Sequence, residues 1–179
     1  NSLVNITKIE VWITNKTGTT NNTRNIVSFL DLGETVNNIY NTNFTSSNSE
    51  IFPDNEAANN LYAKLINNYS GIRDINDVNS VLANISLQNG TDYEKLERAR
   101  KLSESEYSFN SQLGYISLNQ ALNNDEVLAV AFQYTVGGKT YQVGELTSTG
   151  PTSPNALILK LLKGTNFTPS LPNWDLMMK

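Results

Sequence analysis

The chain has 179 residues, of which 13 are Lys or Arg and 17 are Asp or Glu, so its formal net charge is −4. It contains no His and no Cys, which excludes disulfides, thiolate or imidazole metal sites, and Ser-His-Asp or Cys-His catalysis. A mildly acidic chain without a basic stripe also argues against a nucleic-acid partner. Carboxylate, Lys, Tyr or Ser/Lys chemistry stays open, as does a hard cation held by oxygen atoms.

The N-terminal part predicts two strands separated by polar loops. Apolar residues alternate with polar ones and with Trp12, which predicts a half-buried strand carrying Trp12 on its outer face. Residues 26–32 are apolar on both sides and stop at Gly33, which predicts a second, more buried strand. The polar stretches 15–25 and 35–49 are expected to be loops. The alternating apolar residues are Ile9, Val11 and Ile13.

Two short helices are predicted next. Asp54 is placed to cap the first helix, and Gly71 is suited to end it. Asp74 is expected to start the second helix. Apolar residues at three- and four-residue steps put one buried face on each, so the pair forms a helical hairpin. These faces comprise Ala58, Leu61, Leu65 and Tyr69 in the first helix, and Ile75, Val78, Leu82 and Ile85 in the second.

The second half of the chain predicts further strands. Charges of alternating sign in residues 93–102 favour an exposed helix with a solvated charged face, and a polar strand is the alternative. Residues 114–118 predict a short strand. Residues 157–162 fit a strand or a helix, and the strand is favoured because Gly164 and Pro169 leave little room for a helix. The clearest signal is a hairpin within residues 125–146, turning at Gly137-Gly138. The predicted pairs are Val136 with Lys139, Thr135 with Thr140, Tyr134 with Tyr141, Gln133 with Gln142, and Phe132 with Val143.

The candidate reactive groups do not form a recognisable catalytic set. Three carboxylate pairs lie close in sequence, but a glycosidase needs two carboxylates held about 5–10 Å apart in a cleft, which spacing alone does not provide. Residues 74–77 offer oxygens without the order of a calcium loop. We therefore expect no catalytic, cofactor-binding or metal-binding residue and no cofactor. The three pairs are Asp125 with Glu126, Asp31 with Glu34, and Glu104 with Glu106.

Six segments, in order along the chain, carry a family resemblance. They are residues 9–15 (IEVWITN), 29–34 (FLDLGE), 113–119 (LGYISLN), 125–135 (DEVLAVAFQYT), 141–145 (YQVGE) and 174–179 (WDLMMK). Together they resemble the Sov/SprA family, the giant outer-membrane proteins of Bacteroidetes that form the translocon of the type IX secretion system and support gliding motility. The resemblance implies a very large β-barrel with soluble domains between its strands, and no catalytic motif.

The expected fold is α+β: a mainly antiparallel β-sheet, with a sandwich-like arrangement left open, and a short helical hairpin on one side. The two ends of the sequence predict a piece of a much longer chain. Residues 1–170 are expected to form a single soluble domain, and residues 171–179 to begin the next element.

The expected function is a non-catalytic structural or interaction domain of the export channel, located at the cell outer membrane on its periplasmic, luminal or extracellular side. Its expected partners are other domains of the same barrel protein, other type IX secretion components and secreted cargo proteins. The alternative is a carbohydrate-binding or adhesin β-sandwich module of a cell-surface protein, with Trp12 and Tyr115 stacking on sugars. A carboxylate hydrolase is a third reading.

Overall fold

The computed structural model describes residues 4–34, 54–55 and 59–177. Within these residues strands predominate, and helices are few and short. The strands are β1 (Val4–Ile13), β2 (Thr23–Phe29), β3 (Tyr93–Lys101), β4 (Tyr107–Asn110), β5 (Tyr115–Leu118), β6 (Leu128–Val136), β7 (Lys139–Val143) and β8 (Leu157–Lys163). The helices are α1 (Leu61–Asn68), a 3-10 turn (Ser70–Arg73), α2 (Val78–Asn84) and α3 (Asn173–Leu176).

Five strands close into a small barrel. Strand β3 lies between β1 and β2, β8 lies between β2 and β6, and β6 pairs with β1 to complete the barrel. Strand β7 pairs with the C-terminal half of β6. All these pairings are antiparallel except that of β2 with β8, which is parallel. The predicted α+β class with a mainly antiparallel sheet is confirmed. The arrangement that sequence left open, sheet or sandwich, is a sheet rolled on itself.

Trp12 fills the barrel interior, so the prediction that it lies on an outer face was wrong. Its side chain is 1% exposed, among apolar residues contributed by all five barrel strands. Ala129 lies directly opposite it on β6, and small residues on neighbouring strands leave room for the indole. Val11 and Ile13, on the other face of β1, are covered from outside by a separate apolar cluster. Both faces of this strand are therefore buried at its C-terminal end.

Residues 93–101 form a strand, so the favoured helix was wrong and the polar-strand alternative was right. Strand β3 pairs with β2 along most of its length, with a register shift beside Arg24. Leu96 and Ala99 enter the barrel interior, while Glu97 and Arg98 remain exposed. Pairing with a distant strand decided the outcome, because local charge alternation fits an exposed strand as well as an exposed helix.

The β6–β7 hairpin has the predicted register. All five expected pairs occur, from Val136 with Lys139 to Phe132 with Val143. Gly137 and Gly138 have φ angles of 55° and 83°, in the left-handed region that the tight turn requires. Tyr134 and Tyr141 stack with ring centroids 5.2 Å apart. The short strands β5 and β8 also lie where the sequence predicts them.

The helical hairpin packs against the outside of the barrel. Leu61, Leu65, Val78 and Leu82 join a buried cluster with residues of β2, β7 and β8, as their spacing predicts. The first helix begins at Leu61, however, and Asp54 does not cap it. Asp54 Oδ1 instead accepts a hydrogen bond from the Gln142 backbone N–H on β7, at 3.1 Å. The predicted loop at 35–49 and Ala58 lie outside the described residues.

Candidate functional site

The barrel wall is uneven around β1. Strand β1 pairs with β6 over nearly its full length, from Val4 to Ile13. On its other side it pairs with β3 only at Trp12 and Ile13. Beyond that point the chain leaves β3 through a turn at residues 103–106 and continues as β4. The wall therefore opens beside the N-terminal half of β1.

A cleft of about 1050 Å³ occupies this opening. Its volume is at the upper end of the range typical of ligand-binding pockets. We call it the β1–β4 cleft, because β1 forms one wall and β4 another. The residues that line it include Thr7, Lys8, Ile9 and Glu10 of β1, Arg100 and Lys101 of β3, Leu102, Ser103, Glu104 and Glu106 of the following turn, and Tyr107, Ser108 and Phe109 of β4.

Strand edges, and not strand faces, border the β1–β4 cleft. Successive side chains of a strand point to opposite faces, so a single face would contribute every second residue. Here four consecutive residues of β1 and three of β4 line the cleft. The site thus exposes backbone as well as side chains.

Glu10 anchors one side of the cleft. Its carboxylate forms an ion pair with Lys101 at 2.7 Å, and it accepts hydrogen bonds from the Thr147 backbone N–H at 3.0 Å and hydroxyl at 2.5 Å. Burial acts to raise the pKa of Glu10, but the hydrogen bonds from Lys101 and Thr147 outweigh it and hold the pKa below its ordinary value. Glu10 therefore stays ionised, and its charge is already matched.

Glu106 organises the turn at the other side of the cleft. It accepts a hydrogen bond from the Ser103 backbone N–H at 2.9 Å and from Arg100 Nη1 at 2.7 Å. The Ser103 backbone N–H, followed by the Arg100 guanidinium, lowers the pKa of Glu106. Burial raises the pKa of the nearby Tyr107 hydroxyl, helped by the charges of Glu104 and Glu10. Glu106 thus links Arg100 at the end of β3 to the first residue of the turn that opens the wall.

The β4–β5 hairpin beside the cleft carries an exposed apolar tip. Phe109, Leu113 and Tyr115 are 40%, 74% and 44% exposed, and among the described residues Leu176 is the other large apolar side chain of this kind. The base of the hairpin is anchored, since Tyr107 is buried in the cluster that covers Val11. Phe109 pairs with Ile116 and Tyr115 with Asn110, so Phe109 and Tyr115 extend from opposite faces of the hairpin and give it exposed apolar side chains on both.

Two of the sequence-proximal carboxylate pairs are structural. Asp125 forms an exposed ion pair with Lys16, and Glu126 accepts the Asn123 backbone N–H at 2.6 Å, closing the turn before β6. Asp31 accepts hydrogen bonds from the Gly33 N–H and from Asn59 Nδ2, each at 2.7 Å. Its predicted neighbour, Glu34, pairs with Lys160 on β8 and accepts the Leu32 N–H at 2.6 Å.

The third pair, Glu104 and Glu106, lies in the β1–β4 cleft, where Glu10 joins it from β1. Sequence reasoning missed Glu10 as a cleft residue, because the pairing that brings β1 to this turn joins residues nearly ninety positions apart. The available signal was a charged residue directly before the apolar run Val11–Ile13 of β1.

The remaining sequence candidates have local roles. Asp74 Oδ1 accepts the Asn76 N–H at 2.9 Å in the turn before α2, and α2 itself begins at Val78. Across residues 4–34, 54–55 and 59–177, no group of three or more carboxylates is placed to hold a metal ion. Tyr115 is exposed, as sugar stacking would require. Trp12 is buried, so the prediction that Trp12 stacks on a sugar was wrong.

The described helices include none that is long and apolar enough to cross a membrane. No family model matches the chain, and no curated protein matches it.

Proposed function

We propose that this chain is a non-catalytic structural or interaction domain of a type IX outer-membrane translocon of Bacteroidetes, a machine that also supports gliding motility. The ordered resemblance of six segments to the Sov/SprA family suggests this role. The observation that carries the interaction role is the opened barrel wall, with an apolar hairpin tip standing beside it. The packed barrel interior supplies a rigid base, and the β1–β4 cleft and β4–β5 hairpin supply contacts.

In this proposal the domain belongs to the outer membrane protein and shapes its channel, or contacts other domains, other secretion components or cargo. The exposed side chains of Phe109, Leu113 and Tyr115 are the contact residues of choice. Each lies on a hairpin whose base is buried, so its tip presents apolar surface without loss of the fold.

The experiment is made in the parent gene of a Bacteroidetes host. In-frame removal of the domain should block secretion of type IX cargo and abolish spreading on agar. A triple change of Phe109, Leu113 and Tyr115 to Ser tests the hairpin tip more finely, with Asn84→Ser, at an exposed position of helix α2, as control. Normal secretion and spreading by a deletion strain, with the shortened protein present at its usual level, would contradict the proposal.

A carbohydrate-binding module remains the second candidate, favoured by the exposed ring of Tyr115. A glycan array separates the two roles. Selective binding that is abolished by Tyr115→Ala supports the carbohydrate module, and an array without selective binding removes it.

A further inference from the structure

We infer that the β1–β4 cleft binds an extended, weakly charged polypeptide segment of a partner protein through backbone hydrogen bonds to two strand edges. This inference deepens the proposed interaction role, on which it rests, by naming the chemistry of the partner. Addition of a strand to an exposed edge is a general mode of peptide recognition.

The edge of β1 turns unpaired backbone groups into the cleft. The Thr14 N–H donates a hydrogen bond to the Val127 carbonyl at 3.2 Å. By the alternation of an antiparallel pair, Trp12 and Glu10 also direct their backbone N–H and C=O groups to β6. The residues between them point the other way, as the bond from Leu102 N to Val11 O at 2.8 Å confirms. Ile9 therefore directs its N–H and C=O into the cleft, where no backbone partner is found among the described residues.

The edge of β4 faces the same space. The Glu106 and Asn110 carbonyls accept hydrogen bonds from Asn119 and Gly114, on the side of β5. By the same alternation, Tyr107 and Phe109 direct their backbone groups away from β5. Both residues line the cleft. An extended chain placed there meets donors and acceptors from two sides.

Two backbone bonds bound the open stretch and limit the occupant. Leu102 N bonds to Val11 O at one end, and Ile6 N bonds to Ser111 O at 2.9 Å at the other. The five residue steps between Ile6 and Val11 span about 17 Å of strand. A bulge at Thr7 shortens the regular edge, so it receives about four residues of a guest strand.

The charges around the cleft favour a guest of low net charge. Three basic residues face three acidic ones, and two ion pairs already join members of the two sets. Neither a polyanion nor a strongly charged peptide is matched by such a lining. Hydroxyl groups add neutral hydrogen-bonding partners. The charged residues are Lys8, Arg100 and Lys101, and Glu10, Glu104 and Glu106; the hydroxyls belong to Thr7, Thr19, Ser103, Ser108 and Ser148.

The test pans a phage-displayed library of random nonapeptides against the full chain and measures the enriched peptides in solution. Ile9→Pro removes the backbone N–H that faces the cleft. Ile9→Ala shortens the side chain but retains this N–H. Thr140→Pro is a second control, since Gln142 bonds outward to Asp54 and Asn55, and Thr140, two residues before it, points the same way from the β7 edge. Urea midpoints establish that each variant is folded.

We expect an enriched set of weakly charged peptides whose affinity falls about tenfold in Ile9→Pro, equivalent to about 1.4 kcal/mol, and stays within about twofold in both controls. The bound peptide should shift the amide resonances of Ile9, Tyr107 and Phe109. Failure to enrich any peptide, equal affinity for Ile9→Pro, or shifts confined to other residues would overturn the inference. If the chain binds peptides but the deletion strain secretes normally, the export proposal alone is contradicted. If the deletion strain fails to secrete but the chain binds no peptide, the cleft inference alone is contradicted.

Discussion

The two edges of β1 differ sharply, although they belong to one strand. Toward β6 the strand is paired over nearly its whole length, whereas toward β3 it is paired only at Trp12 and Ile13. The paired edge contributes to a packed interior, and the released edge borders a cleft of about 1050 Å³. One edge of the strand thereby serves stability, and the other carries the backbone groups through which we propose that a partner peptide binds.

The largest expected effect breaks the closed side. Trp12→Ala should lower the free energy of unfolding by about 3–5 kcal/mol, because it empties the centre of the barrel. Urea denaturation followed by intrinsic fluorescence of the remaining Trp174 and the tyrosines measures the change. Tyr115→Ala is the matched aromatic control, and we expect it to stay within about 0.5 kcal/mol. Equal losses for the two variants would show that Trp12 does not fill the interior.

A smaller effect is expected at the boundary between the two edges. Glu10→Gln removes a charge that accepts hydrogen bonds from Lys101 and Thr147, at a cost of about 2 kcal/mol at neutral pH. The folded-state pKa of Glu10 lies below its ordinary value of 4.5. Its stabilisation is thus complete above about pH 5 and is lost as the pH falls through the folded-state pKa.

Urea unfolding of the wild type and Glu10→Gln across this pH range checks the sign. The two curves should converge in acid and separate as the pH rises. A gap that widens toward low pH would contradict the assigned role of Glu10.

The smallest effect is expected on the open side. Glu106→Gln weakens the contact with Arg100, whose partner carboxylate is partly exposed, so the loss should stay below about 1 kcal/mol. The loss should shrink further near 1 M salt, where the Debye length falls to about 3 Å. Thermal unfolding at low and high salt measures this. A large, salt-independent loss would mean that the turn at residues 103–106 holds the barrel closed.

Local elements were predictable where short-range physics decides them. The β6–β7 register follows from Gly137-Gly138 and from matched side chains on either side of the turn, all within one short segment. The buried faces of α1 and α2 follow from helical spacing. Such features require no knowledge of distant parts of the chain.

Features set by distant pairing were not predictable in the same way. Alternation along β1 identifies two faces, but it does not say which face enters the barrel when both are buried. Strand β3 was ambiguous because β2, its partner, lies about seventy residues earlier. The position of the cleft depends on where the pairing of β3 with β1 ends. No single segment of the sequence contains that information.

Residue-resolved amide hydrogen exchange tests the central claim, that the wall is open beside β1, most directly. The amides of Lys8, Glu10 and Trp12, which point to β6, should exchange slowly. The amide of Ile9, on the released edge, should exchange much faster, and the amide of Ile13 should be slow because β3 covers it. Uniform slow exchange from Lys8 to Ile13 would contradict an open edge.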